Sequence, residues 1–211
     1  MCATYYARTS DHGYETCAEH LAMAGCLAGG FAKGFGYLDD GLLAGLVHDL
    51  GKYSDAFQRR IRNPDHCGPV DHSTAGALLL MRHVCPLAAM AVAGHHAGLP
   101  DLGSYGELEG STFMSRMNRA RRAGDCNPLA LAQAGEAQLD IPQSAFLHGT
   151  RSAKPMTSGK RPERWSLYTD MMLTRMLFSA LVDADRLDAE FFTSNRIDRA
   201  EPVSYTHLRA H

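Results

Sequence analysis

The chain has no apolar stretch of about 18 or more residues, so no transmembrane helix is expected. Met1 to Asp11 is polar and lacks an apolar core segment, which argues against a cleavable signal peptide. The six cysteines (Cys2, Cys17, Cys26, Cys67, Cys85, Cys126) form no Cys-x-x-Cys pair and no disulfide framework. A zinc knuckle and a secreted disulfide scaffold are thereby disfavoured, and a reducing cytoplasm is the expected location. There is no alternating strand set, glycine-rich phosphate loop or internal repeat. An excess of positive charge is also missing. The net charge is -2, whereas a domain that grips nucleic acid unaided is usually basic. Positive charge is only local: Arg59, Arg60 and Arg62; Arg116, Arg119, Arg121 and Arg122; then Lys154, Lys160, Arg161 and Arg164. Solvated helix and loop faces explain each cluster most simply. Any polynucleotide substrate would draw most of its binding strength from a partner or another domain.

What is present is a helical pattern in a chain of 211 residues, enough for one domain with a real core. From Tyr14 to Phe35, the residues His20, Ala24, Leu27, Phe31 and Phe35 recur at helical spacing and put His20 on a buried stripe. A second helix is expected over Asp40 to Leu50, with Asp39 or Asp40 as N-cap, then a short one over Ser54 to Ile61, stopped by Asn63-Pro64. Asp71-His72-Ser73-Thr74 opens a helix through Val84, and Pro86 starts another that runs to His95. Residues 98 to 112 and 148 to 164 read as exposed loops, with short helices at Phe113 to Arg122 and Ala130 to Gln138 between them. A long helix from Pro162 to Glu190 carries Leu167, Met171, Thr174, Phe178 and Leu181 on one stripe, and the next step lands on Asp185. An acid on a core-facing stripe is costly unless it is paired or binds a metal. Asp183, about 200° around the helix from Leu181, should face elsewhere and play at most a supporting role.

The residues with chemistry form a series: His20, His48-Asp49, His72, His95-His96 and Asp185. Several of the eleven histidines must be ordinary surface or core residues, and a lone His-Asp is weak. Context raises these. His48-Asp49 ends an apolar helical run and precedes Gly51, a residue suited to a helix end or tight turn. His95-His96 follows Leu87 to Gly94 and precedes Gly98 and Pro100. Histidines at the ends of buried helices sit where a pocket can form. Imidazole and carboxylate together suit a borderline divalent metal, and seven such groups exceed the needs of one ion. An aspartate shared by two ions suits in-line phosphodiester hydrolysis.

Four segments, HDLGKYSDAFQRRI from His48, VDHSTAGA from Val70, GHHAGLPD from Gly94 and LFSALVDADRLDAE from Leu177, together carry a family resemblance. Their order on a helical chain is similar to the HD superfamily of metal-dependent phosphohydrolases. Their wording resembles the HD nuclease domain of the CRISPR-associated helicase-nuclease of type I systems, from about Tyr5 to Phe192. The resemblance implies an all-α HD bundle with a dinuclear metal site in its core. One ion would be held by His20, His48, Asp49 and Asp185, the other by Asp49, His72, His95 and His96, with Asp49 bridging and catalytic. Mn, Fe, Co or Ni would suit the imidazole-rich set better than Mg. Lys52 would bind phosphate and neutralise transition-state charge, unless it is a surface lysine after a helix end. Ser73 would bind phosphate or, the safer expectation, cap its helix.

The implied activity is metal-dependent endonuclease or exonuclease cleavage of single-stranded DNA in CRISPR interference, an antiviral defence. The implied partners are the displaced DNA strand, a superfamily 2 helicase domain or subunit and the CRISPR RNA-guided surveillance complex. In that family a helicase usually follows in the same polypeptide. This chain reads as a free-standing subunit, a domain cut at its boundary or a truncated gene. Residues 1 to 200 are expected to form the nuclease domain and 201 to 211 a disordered or foreign tail, which removes His207 and His211 from the site. Two other functions stay open. A phosphohydrolase acting on a small nucleotide is opposed by the extra histidines and by the Phe57-Gln58 and Ser73-Thr74-Ala75-Gly76 wording; a non-catalytic docking module is opposed by the presence of every expected ligand.

Overall fold

Thr16 decides where the first helix begins. Its hydroxyl accepts from the Glu19 backbone N–H at 3.2 Å, and the Glu19 carboxylate accepts from the Thr16 N–H at 3.3 Å, a reciprocal cap that satisfies two otherwise unpaired donors. Helix α1 therefore spans Cys17–Lys33, three residues short of the expected start at Tyr14. The residues ahead of it form an antiparallel hairpin, β1 (Tyr6–Ser10) and β2 (Gly13–Thr16), with Arg8 opposite Glu15 and a bulge between Tyr6 and Arg8. This pair of strands corrects the expectation of a strand-free chain. The computed structural model describes residues 3–11, 13–124, 128–137, 139–148 and 164–194. The expected tail after Pro202, and Lys154, Lys160 and Arg161 of the late basic loop, lie outside them.

The described residues are mostly helical: α2 (Leu38–Val47), α3 (Asp55–Arg62), α4 (Thr74–Arg82), α5 (Pro86–Gly94), α6 (Phe113–Arg122), α7 (Pro128–Glu136), α8 (Gln143–His148) and α9 (Arg164–Thr193). No helix among them is long and apolar enough to cross a membrane. Helix α2 starts two residues earlier than expected. Asp39 and Asp40 lie in its first turn and Tyr37 occupies the N-cap position without a side-chain bond. Acids there still complement the positive end of the helix.

Helices α1 and α2 approach so closely that side chains are excluded between them. A Cβ at Gly41 would sit 2.5 Å from the Ala28 carbonyl oxygen, and one at Gly45 2.5 Å from Gly25 Cα. The buried stripe of α1 is accordingly His20, Leu21, Ala24, Gly25, Ala28, Gly29 and Ala32, rotated from the expected one. Leu27, Phe31 and Phe35 are only half-buried. The same correction applies to α9. Leu167 and Met171 are exposed, Thr174, Leu177, Leu181 and Ala184 are buried, and Asp183 faces solvent as expected. Helix α9 packs on α1, α2 and α5, and α4 packs on α5. Leu43, Val47, Leu78, Leu80, Val92, Phe113, Met117 and Leu181 form the main core between them.

Helix α2 stops at Val47, and residues Leu50–Tyr53 continue as a short 3-10 turn. Gly51 serves close approach there. It donates its N–H to the His72 carbonyl at 2.9 Å, and a Cβ would lie 2.5 Å from His72 Cα. This contact brings the loop before α4 against the end of α2. It puts His72 beside His48-Asp49, segments that the chain separates by more than twenty residues.

Candidate metal centre

Five histidines and two aspartates converge from five places in the chain. His20 comes from the first turns of α1, His48 and Asp49 from the end of α2, and His72 from the loop before α4. His95 and His96 follow α5, and Asp185 lies on α9. Four of the imidazoles are oriented the same way. Nδ1–H of His48 donates to the Gly45 carbonyl at 2.8 Å, that of His95 to Val92 at 2.7 Å, and that of His72 to Val70 at 2.9 Å. His20 Nδ1 lies 2.6 Å from the buried Asp188 carboxylate. A carbonyl can only accept, so Nδ1 of His48, His72 and His95 carries a proton, and Nε2 of each ring faces inward. Helix ends supply the Gly45 and Val92 carbonyls, because the last C=O groups of a helix lack partners within it.

The inward nitrogens meet at Asp49, and its two oxygens divide them. Oδ2 lies 3.1 Å from His20 Nε2 and 3.3 Å from His48 Nε2. Oδ1 lies 3.3 Å from His95 Nε2 and 3.5 Å from His72 Nε2. Asp185 Oδ1 completes the first set at 3.7 Å from His20 Nε2 and 3.8 Å from His48 Nε2. His96 completes the second, its Nε2 2.7 Å from that of His72. The ligand atoms thus form two groups able to hold a cation, His20, His48, Asp49 and Asp185, and Asp49, His72, His95 and His96. The first is the more deeply buried, and His96 in the second is exposed. Asp49 Oδ1 and His95 Nε2 are buried without a hydrogen-bond partner. An unsatisfied buried acceptor calls for an ion or a donor, and here two point at each other. The residues present fit metal binding. No known family model matches the chain, and no curated protein is detectably similar to it.

Lys52 is no surface lysine. It is buried, with Nζ 2.5 Å from Asp49 Oδ2 and 5.6 Å from the Phe57 ring centroid, while the Phe57 ring stands 5.5 Å from that of His72. Ser73 departs from the expected cap. It occupies the N-cap position of α4 without a side-chain bond into the helix, and Asp71 accepts from the N–H groups of Ser73 and Thr74 instead, both at 3.1 Å.

Three further charges, buried or half-buried, surround His20. Asp188, which holds the His20 ring, lies one turn beyond Asp185 on the same face of α9. That spacing was the available signal. Arg8 and Glu15 pair across the hairpin at 3.0 Å, and Arg8 also reaches Asp185 Oδ1 at 3.0 Å and Asp188 Oδ2 at 3.4 Å. They were hidden because the hairpin itself was not foreseen. Arg8 offsets the repulsion among carboxylates that are costly to bury together. Glu15, His20 and Asp188 also lie close enough to form a third possible ligand group. Arg8 already supplies a positive charge there.

Burial works against charge on the His48 ring, but the Asp49 and Asp185 carboxylates outweigh it and raise His48 to about 9. Burial also opposes ionisation of Asp49, yet His48 and Lys52 hold its carboxyl well below the usual range. His96 moves the other way, pushed down to about 4 by burial and by its neighbour His95. Linkage converts these shifts into a pH dependence of stability. His48, raised above 6.5, stabilises the metal-free fold fully below that pH, and the contribution is lost as pH rises through about 9. His96, lowered from 6.5, resists protonation in the fold, so stability is lost as pH falls through about 4. Asp49 adds a further loss only below 3.8. The metal-free protein is therefore expected to have its highest Tm near pH 6.5. A Tm independent of pH between about 5 and 9 would contradict these couplings.

Proposed function

We propose that the chain is a dinuclear, metal-dependent phosphodiester hydrolase that cuts single-stranded DNA, an HD-type nuclease serving CRISPR interference beside a helicase. The observation that carries the reading is Asp49, whose two oxygens each face a separate histidine set. Imidazole-rich sets of this kind favour Mn, Fe, Co or Ni over Mg. Two bound divalent ions would supply Lewis acidity towards a phosphate and lower the pKa of a water. The protein's own part is arrangement. The carbonyls and Asp188 fix the rings, Asp49 holds the halves at one spacing, and the exposed His96 marks the side from which a phosphate can enter. Lys52 is placed to move from Asp49 onto a phosphate oxygen, where it would neutralise developing charge.

Incubating the protein with Mn or Ni on circular single-stranded DNA and on a panel of nucleotides tests the activity. Nicked and degraded DNA, chelator-sensitive and without nucleotide turnover, is expected. Preferential nucleotide hydrolysis would replace this reading with the small-substrate one, and inactivity on both with bound metal would favour a docking module.

Binding should be weak and only gently salt-dependent. Each neutralised phosphate adds to the salt dependence. The net charge is -2, and two of the α6 arginines are already engaged within the protein: Arg116 with Asp71, and Arg119 with the carbonyls of Leu108 and Gly110. A fluorescence titration across salt concentrations is expected to show a shallow slope and a preference for single strands. Tight, steeply salt-dependent duplex binding would contradict the share of affinity assigned to the helicase and surveillance complex.

A further inference from the structure

Arg116 shares its sequence cluster with three other arginines, for which a solvated helix face is the simplest expectation. All three of its guanidinium nitrogens instead have partners within the protein. Nε donates to Thr74 Oγ1 at 2.7 Å, one terminal nitrogen to the Ala93 carbonyl at 2.7 Å, and the other to Ser73 Oγ at 2.7 Å and to the Asp71 carboxylate at 2.9 and 3.0 Å. These partners bracket the second histidine set. Asp71 and Ser73 flank His72 on both sides, and Ala93 lies two residues before His95. Asp71 also accepts from the Thr74 hydroxyl at 2.6 Å, so the loop is tied to itself as well as to α6.

We propose that Arg116 is a positioning residue for the outer half of the metal centre, His72, His95 and His96, and that the inner half does not depend on it. The inference rests on the dinuclear reading above and deepens it. His72 and His96 approach to 2.7 Å from two loops with no backbone hydrogen bond to each other among the described residues. The guanidinium hydrogen-bonds to residues on both sides. The ligands of the inner half stand on α1, just past the end of α2 and on α9, braced by Asp188 and Arg8, none of which Arg116 touches. A planar fork serving acceptors in several directions has no lysine equivalent, because an ammonium on a flexible stem is a point charge.

The test is a calorimetric titration of the metal-free protein with Mn or Co, comparing wild type with Arg116→Lys, Asp71→Asn and the surface control Arg121→Ala, with Tm recorded in parallel. Supporting partners of metal ligands typically change affinity by about 10- to 100-fold. A loss of that size at one of the two sites is expected in Arg116→Lys and Asp71→Asn, with the other site and Arg121→Ala unchanged. The unchanged site also reports that the variants are folded. Equal weakening of both ions would overturn the proposal and make Arg116 a general packing residue, as would two unchanged affinities in Arg116→Lys. A wild-type protein that binds fewer than two ions would overturn the dinuclear reading itself, an outcome visible before any variant is made.

Discussion

Replacing Asp49 with Ala is expected to bring the bound metal from two ions towards none and DNA cleavage down to background. The carboxylate lies between all four inward-facing rings, with one oxygen for His20 and His48 and the other for His72 and His95. No neighbouring acid can take over, because Asp185 contacts only the His20 and His48 side of the set. Stability falls as well, since Lys52 then keeps a half-stranded charge; removing one partner of a buried ion pair costs about 3–5 kcal/mol, less here because the lysine retains some exposure. Asp49→Asn separates the two effects. The amide keeps the shape but carries no charge, so the variant should remain folded by circular dichroism while metal content and turnover still collapse. Two retained ions and near-normal turnover in either variant would rule out the dinuclear assignment.

Asp185→Ala should be far more damaging than Asp183→Ala, although the two differ by only two positions. Asp185 Oδ1 lies 3.7 Å from His20 Nε2, 3.8 Å from His48 Nε2 and 3.0 Å from an Arg8 nitrogen. Burial opposes its ionisation, but His48 outweighs burial and holds the carboxyl far below the ordinary carboxylate range. Its removal takes away the one carboxylate that belongs to the inner half alone and leaves the outer half intact. The expected result is loss of one ion of the two, with turnover reduced by orders of magnitude. Asp183 is exposed on another face of α9, and its replacement should change stability by no more than about 0.5 kcal/mol, as for most surface sites. Metal content and turnover measured on both variants decide it. Equal damage would mean that the two-site division is wrong, and greater damage at Asp183 would reverse the assignment.

The helical character of the chain, the ends of α3, α5 and α6 to within one residue and the order of the clustered histidines and aspartates were all readable in the amino-acid sequence. Helix α4, by contrast, ends at Arg82 and not at Val84. Helix ends carry local signals such as Ser54, whose hydroxyl accepts from the Phe57 N–H, and Pro86 at the first turn of α5. Asp185 does lie beside His20 and His48 while Asp183 faces solvent, because the step of four from the buried Leu181 leads to Asp185. Other features depended on partners distant in the chain. The stripe of α1 was misphased because hydropathy favours Leu27 and Phe31, whereas close approach of α2 selects the small residues Ala24, Gly25, Ala28 and Gly29. The hairpin has strands of only five and four residues, too short for a clear alternation, and the Thr16–Glu19 cap excludes Tyr14 to Thr16 from the helix.

Residue types and their order along the chain were thus enough to nominate the seven histidines and aspartates that the fold gathers, since imidazole and carboxylate carry their chemistry wherever they stand. Tertiary structure alone decided that Asp49 faces both sets, that Asp188 and Arg8 brace His20, and that Arg116 ties the loops of His72 and His95. The physical reason is that these are contacts between elements far apart in sequence, set by how closely backbones can pack and by which buried donors and acceptors must find each other.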